Sequence, residues 1–302
     1  MASTYHDLRL DARRALEQAG VEAADFESWQ IVSAASGKTR EELLRDETLY
    51  VNDELVRQVA SMVARRRREE PLAYVLGEWS FHHLDFFVDK TALIPRIDTE
   101  ILADLAISYL RQIPGNTRVL DLCAGTGCLG ITIASAVKTA RSVLVELADG
   151  PLDLCKRNIR RHKLTGRVVH LKGDVTLPPS PALGQFDVVV CNPPYIATGE
   201  IPYLDPSVKD YEPMMALDGG PDGLTFYRSV IDLWKPALKP GGTLLFEVGI
   251  DQAKPVATLM ARAGYQKILI TRDTNKIERV VSGRRPQEAV IIPFPEGQKQ
   301  ED

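Results

Sequence analysis

The chain has 302 residues, 44% hydrophobic and 26% charged, which is enough apolar material for a sizeable core and for two domains. A formal charge of −4 argues against a protein that holds nucleic acid by general phosphate neutralisation. The four cysteines, Cys123, Cys128, Cys155 and Cys191, have neither zinc-site spacing nor disulfide-framework density, and no apolar run approaches the roughly 18 to 20 residues that span a bilayer, so the expectation is a cytoplasmic protein with reduced thiols, no metal and no membrane partner.

Tyr5, Leu8, Ala12, Ala15, Leu16 and Ala19 recur at helical spacing and Gly20 stops the run, which predicts an amphipathic helix. A second helix carries Phe26, Trp29 and Val32 to Gly37, and Thr39 with Glu42 forms a capping box for a short third one through Leu43 and Leu44. Asn52 or Asp53 caps a fourth that buries Leu55, Val56, Val59, Met62 and Val63 before Pro71. The basic run Arg65 to Arg68 reads as its solvated end. From Tyr74 to Pro95, aromatic and β-branched residues around His82-His83 and Asp89-Lys90 predict strands joined by a turn. Neighbouring histidines on a strand point to opposite faces, which argues against a shared metal.

Beyond Thr99 strand and helix alternate. Helices are predicted over 100–112, 128–137, 152–162, 224–237 and 252–263, and strands over 118–122, 142–146, 168–171, 186–191, 243–248, 267–271 and 278–282. Such alternation means an open, mainly parallel sheet with helices on both faces.

The first strand of this region runs into Cys123-Ala124-Gly125-Thr126-Gly127 and then a helix, so a tight glycine turn lies at the carboxyl end of the strand, where open α/β sheets bind ligands. Glu146 ends the next strand about 20 residues later, where a carboxylate can accept from both ribose hydroxyls of an adenosine. Asp174, after the third strand, can reach an adenine amino group. Asp121 disfavours a pyrophosphate and suits a cationic ligand with an ammonium and a sulfonium. Asn192-Pro193-Pro194-Tyr195 leaves the fourth strand at the same sheet edge. The Asn192 side-chain oxygen and the Pro193 carbonyl can grip both N–H bonds of a planar nitrogen, no proline offers a competing donor, and Tyr195 adds a flat face. Such a grip favours pyramidalisation and steadies positive charge on an otherwise poor nucleophile.

Together with Pro71 to Gly77, Leu93 to Glu100, and Glu212-Pro213 with Ala216 to Leu224, these motifs resemble the HemK/PrmC family of protein-(glutamine N5) methyltransferases, over nearly the whole chain to about Gly283. The resemblance implies a Rossmann-like class I methyltransferase domain over 99–295, preceded by a helical substrate-recognition domain over 1–72 and a β-hairpin linker over 73–98, with a polar tail at 296–302. It also implies S-adenosyl-L-methionine as cofactor, class I peptide chain release factors as protein substrate, and no stable nucleic-acid partner. Cys123 to Gly127, Glu146, Val175 and Asn192 would contact the cofactor, Thr99 and Glu100 would border its methionine end, and Asn192 to Tyr195 would hold the glutamine. Cys123 departs from the family's first glycine, and Glu146 from its commoner aspartate.

Asn-Pro-Pro-Tyr alone also suits adenine amino methyltransferases, but the extra domain here is short, helical and mixed in charge. A ribosomal-protein glutamine methyltransferase is chemically closer. A non-catalytic cofactor-binding protein has no need of two acceptors beside a sulfonium.

Overall fold

A computed structural model describes residues 3–287; the expected polar tail lies outside them. Helices α1 (Tyr5–Gln18), α2 (Ala24–Ser36), α3 (Arg40–Arg45) and α4 (Asp53–Arg66) begin on side-chain caps at Thr4, Thr39 and Asn52, while α2 starts without one. They bury Leu16, Ile31, Val32, Leu43 and Val59 in a core of their own. Helix α5 (Leu72–Leu76) follows, so Tyr74 to Leu76 is helical where the aromatic content suggested a strand. The apolar run suits either state; packing decides, because Val75 enters the helical core while the Tyr74 hydroxyl donates to the Ala92 carbonyl at 2.7 Å.

Arg65 and Arg66 are not merely a solvated helix end. Arg65 bonds Glu70 at 2.9 Å and the Tyr74 carbonyl at 2.8 Å, and Arg66 pairs with the buried Glu27 at 2.7 Å.

Strands β1 (Glu78–Phe81) and β2 (Leu84–Phe87) form an antiparallel hairpin. His82 and His83 make its turn with φ of 49° and 67°, the left-handed pair of a type I′ connection, so they lie on a turn rather than along a strand. Helix α6 (Thr99–Arg111) steadies this conformation: Glu100 accepts from the His82 amide at 2.8 Å and Asp104 contacts the His82 ring at 2.7 Å.

The remaining elements are β3 (Thr117–Leu122), α7 (Cys128–Ala136), β4 (Ala140–Glu146), α8 (Asp149–Arg161), β5 (Val168–Lys172), β6 (Phe186–Cys191), α9 (Pro206–Lys209), α10 (Thr225–Leu233), β7 (Leu238–Glu247), α11 (Ala253–Arg262), β8 (Gln266–Arg272) and β9 (Glu278–Arg284). The helix expected to reach Ala237 gives way to a 3-10 turn at Lys235–Ala237, since Pro236 has no N–H to continue it. The sheet order is β5-β4-β3-β6-β7-β9-β8, with β9 antiparallel to both neighbours, so the open, mainly parallel sheet inferred from the alternation is present with seven strands, in the Rossmann-like form that the resemblance implied.

Each central strand alternates its side chains between two cores. Val119, Val188 and Val190 face α6 and α7, whereas Leu120, Val189 and Cys191 face α10 and α11. Strand order reverses between β3 and β6, which opens a crevice at their carboxyl ends.

Candidate active site

Register brings the site together. Leu122 pairs with Val145 on one side and Cys191 on the other, so Cys123, Glu146 and Asn192 leave three neighbouring strands at one level. A cavity of about 420 Å³ opens there. Thr99, Cys123, Ala124, Gly125, Thr126, Glu146, Asp174, Val175, Asn192 and Pro194 line it.

Cys123 keeps the left-handed conformation that a glycine adopts without strain, at φ 59°, so the departure from glycine leaves the bend in place. Gly125 has φ 54°, and a Cβ there would meet no protein atom within 4 Å, which leaves its face open to a ligand. Glu146 holds this turn from the neighbouring strand. Its Oε2 accepts from the Gly125 amide at 2.9 Å, and its Oε1 accepts from Leu147 and Ala148 at 2.8 and 3.1 Å. A carboxylate has about four acceptor positions, so capacity remains for a further donor. Asp174 accepts from the Thr176 amide and hydroxyl at 2.8 and 2.6 Å, and Val175 is anchored through its carbonyl by the Trp234 indole at 2.9 Å.

Five expected site residues do not line the cavity. Asp121 is fully buried beneath the turn, where its Oδ2 accepts from Gly130 at 2.9 Å; burial raises its carboxyl to about 7, and its Oδ1 has no partner. Gly127 caps α7 in left-handed conformation. Glu100 serves the hairpin turn. Pro193 is buried, and Tyr195 packs behind the platform, where burial raises its phenol to about 12. Its backbone is hemmed in by two glycines: a Cβ at Gly219 would stand 2.7 Å from Tyr195 Cα, and one at Gly223 would stand 2.4 Å from its carbonyl.

Several participants escaped the sequence reading. Asn158 of α8, fully buried, donates to the Thr126 and Phe87 carbonyls at 2.9 and 3.1 Å and accepts from the Phe87 amide at 2.8 Å, joining glycine turn to hairpin. Thr91 to Leu93, with Pro95 and Arg96, form one wall; Pro213 to Ala216, with the half-exposed Met214 and Met215, form the other. Arg96 and the buried Glu212 bond directly and tie the walls together. Burial raises the Glu212 carboxyl, opposed chiefly by the Arg96 charge. The Glu-Pro at 212 was visible as a motif, but nothing in the sequence paired it with Arg96.

Among the described residues no group of three or more His, Cys, Asp or Glu is arranged to hold a metal ion, and no helix is long and apolar enough to cross a membrane.

A family model described as the PrmC N-terminal domain matches residues 7–77, and one described as a methyltransferase small domain matches residues 99–203. The chain is 41% identical to a release factor glutamine methyltransferase of Geobacter sulfurreducens, over 89% of this chain and 92% of that protein. It is 34% identical to one of Clostridium acetobutylicum, over 91% and 96% respectively. A solved structure of the hMettl16 catalytic domain in complex with MAT2A 3′UTR hairpin 6 shares the fold, with a TM-score of 0.56 at 14% identity, over 80% of this chain and 85% of that one.

Proposed function

We infer the activity from the premise that this chain belongs to the release factor glutamine methyltransferase family. It transfers a methyl group to the side-chain amide nitrogen of a release factor glutamine. We assign the acceptor to the Gly-Gly-Gln motif of class I factors, the methyl donor to S-adenosyl-L-methionine, and the compartment to the cytoplasm, where release factors work. The observation that carries the assignment of roles is the meeting of Asn192, Glu146 and the glycine turn on one cavity.

The chain's groups fit that donor. The open face of Gly125 and the spare acceptor capacity of Glu146 suit a ribose, and Asp174 and Val175 suit the adenine. Two buried carboxylate oxygens without partners, Asp121 Oδ1 and Glu247 Oε2, supply negative potential for a cation. When bound, S-adenosyl-L-methionine supplies an electrophilic methyl group. Asn192 Oδ1 and the Pro193 carbonyl accept the two amide hydrogens of the glutamine, aim its lone pair and steady the charge that develops on nitrogen. No strong general base is required, because the nitrogen proton becomes acidic once the new bond forms.

The test is incubation with labelled cofactor and a class I release factor, followed by tandem mass spectrometry. One added methyl on the glutamine of Gly-Gly-Gln is expected. Label confined to a ribosomal protein or to adenine would overturn the assignment.

The helical unit around α1 to α4 is assigned to gripping the acceptor protein. It carries exposed Leu44, Leu49 and Tyr50 and none of the cavity-lining residues. Aromatic anchors such as Tyr50 are over-represented among the residues that dominate protein interfaces. The double variant L44S/Y50S should raise the KM for the intact factor at least about fivefold and leave a short glutamine peptide unaffected. An unchanged KM for the intact factor would remove this surface from recognition.

A further inference from the structure

Glu247 ends β7 beside the catalytic platform. Cys191 and Phe246 are paired across β6 and β7, so Asn192 and Glu247 follow at the same level. Glu247 is 3% exposed, and its Oε2 has no hydrogen-bond partner. The Thr99 hydroxyl and the Asn192 amide lie beside this carboxyl group, and both favour its charged form. Asn192 Nδ2 also donates to Thr99 Oγ1 at 3.3 Å.

A primary amide has an accepting and a donating end of nearly the same shape, and a flip exchanges them. An ionised carboxylate only accepts, so beside Glu247 the donating end is favoured and the accepting end turns away. We propose that Glu247 is a positioning residue that, with Thr99, holds the Asn192 amide so that its oxygen, rather than its nitrogen, faces the acceptor glutamine. The catalytic consequence rests on the reading of Asn192 given above; the orientation itself does not.

The charge on Glu247 is under tension. Burial raises its carboxyl to about 7; the Thr99 hydrogen bond lowers it, Asp98 raises it, and Arg279 and the Asn192 amide lower it. Arg279 reaches from β9 and pairs with Asp98 at 2.9 Å. Tyr195, Tyr227 of α10 and Cys128 of α7 also face its charge. Above the midpoint the carboxylate is acceptor-only and the orientation is enforced. Below it the carboxyl gains a donor and the selection is lost. A cation bound in the cavity favours the ionised form and moves the midpoint down.

The proposal is tested on two readouts. In cofactor-free protein labelled with 15N-asparagine, the Asn192 side-chain signals, assigned by their loss in N192A, should titrate with a midpoint near pH 7 and lose that step in E247Q. In turnover at saturating cofactor, E247Q should lower kcat at least about tenfold, with the factor KM within about threefold of wild type, and should lose the acid limb of the wild-type rate profile. T99V should lower kcat in the same direction.

Asn192 signals that do not titrate would overturn the proposal, as would E247Q turning over at the wild-type rate with the wild-type pH profile. Should E247Q fail to fold, the wild-type titration and T99V still decide. A wild-type protein whose Asn192 signals titrate but which methylates no release factor would refute the assigned activity and leave the orientation standing.

Discussion

Asn192→Ala should lower methyl transfer to the release factor at least about a hundredfold while cofactor affinity changes only a few-fold, the pattern expected when a contact made in the transition state is lost. The side chain stands at the cavity, leaves β6 level with the glycine turn, and donates from its amide nitrogen to Thr99, on the side where Glu247 follows β7. Its oxygen is therefore the end available to a substrate N–H. Removing the amide also strips a donor from the buried Thr99 hydroxyl, so a stability loss of about 1 to 3 kcal/mol should accompany the variant. Single-turnover rates at saturating cofactor, with a melting curve as the fold control, separate the two effects. Turnover within about threefold of wild type would remove Asn192 from the chemistry.

Glu146→Ala should weaken S-adenosyl-L-methionine binding by roughly 1.5 to 3 kcal/mol, about ten- to a hundredfold in Kd. Two losses combine. The carboxylate no longer meets the ribose hydroxyls, and the amides of Gly125, Leu147 and Ala148 lose their shared acceptor, which loosens the turn itself. Glu146→Asp should fall in between, since one methylene less brings the charge near but cannot span from Leu147 to Gly125. Isothermal titration calorimetry reads both variants. An alanine variant that binds as tightly as wild type would show that the ribose is held elsewhere.

The cavity-lining positions were legible to different degrees. Cys123 to Thr126, Glu146, Asp174, Val175 and Asn192 were readable because each follows a strand in an alternating pattern, and strand ends of a parallel sheet meet at one edge. Asp121 and Glu100 do not line the cavity, for a shared reason. Position along the chain put both carboxylates beside the turn or the first helix, but direction depends on neighbours. Asp121 turns inward to the Gly130 amide, and Glu100 turns to a hairpin whose left-handed turn needs an acceptor. The metal-like pair His82-His83 likewise became intelligible only as the turn of that hairpin.

Period and punctuation in the sequence determined the local structure of this protein: the caps at Thr39 and Asn52, the apolar stripes of the first helices, the strand–helix alternation and the two glycine- and proline-bearing turns at the sheet edge. These signals act over a few residues, so one chain displays them directly. Only the tertiary structure decided which distant side chains meet. Arg96 reaches Glu212 across 116 positions, Asn158 reaches Phe87 across 71, and Asn192 reaches Thr99 across 93. Such pairings depend on which faces of helices and strands are packed together, and no local propensity records that. The buried Glu247 is the clearest case: an ordinary glutamate at a strand end in the sequence, and in the fold a buried carboxyl group level with Asn192.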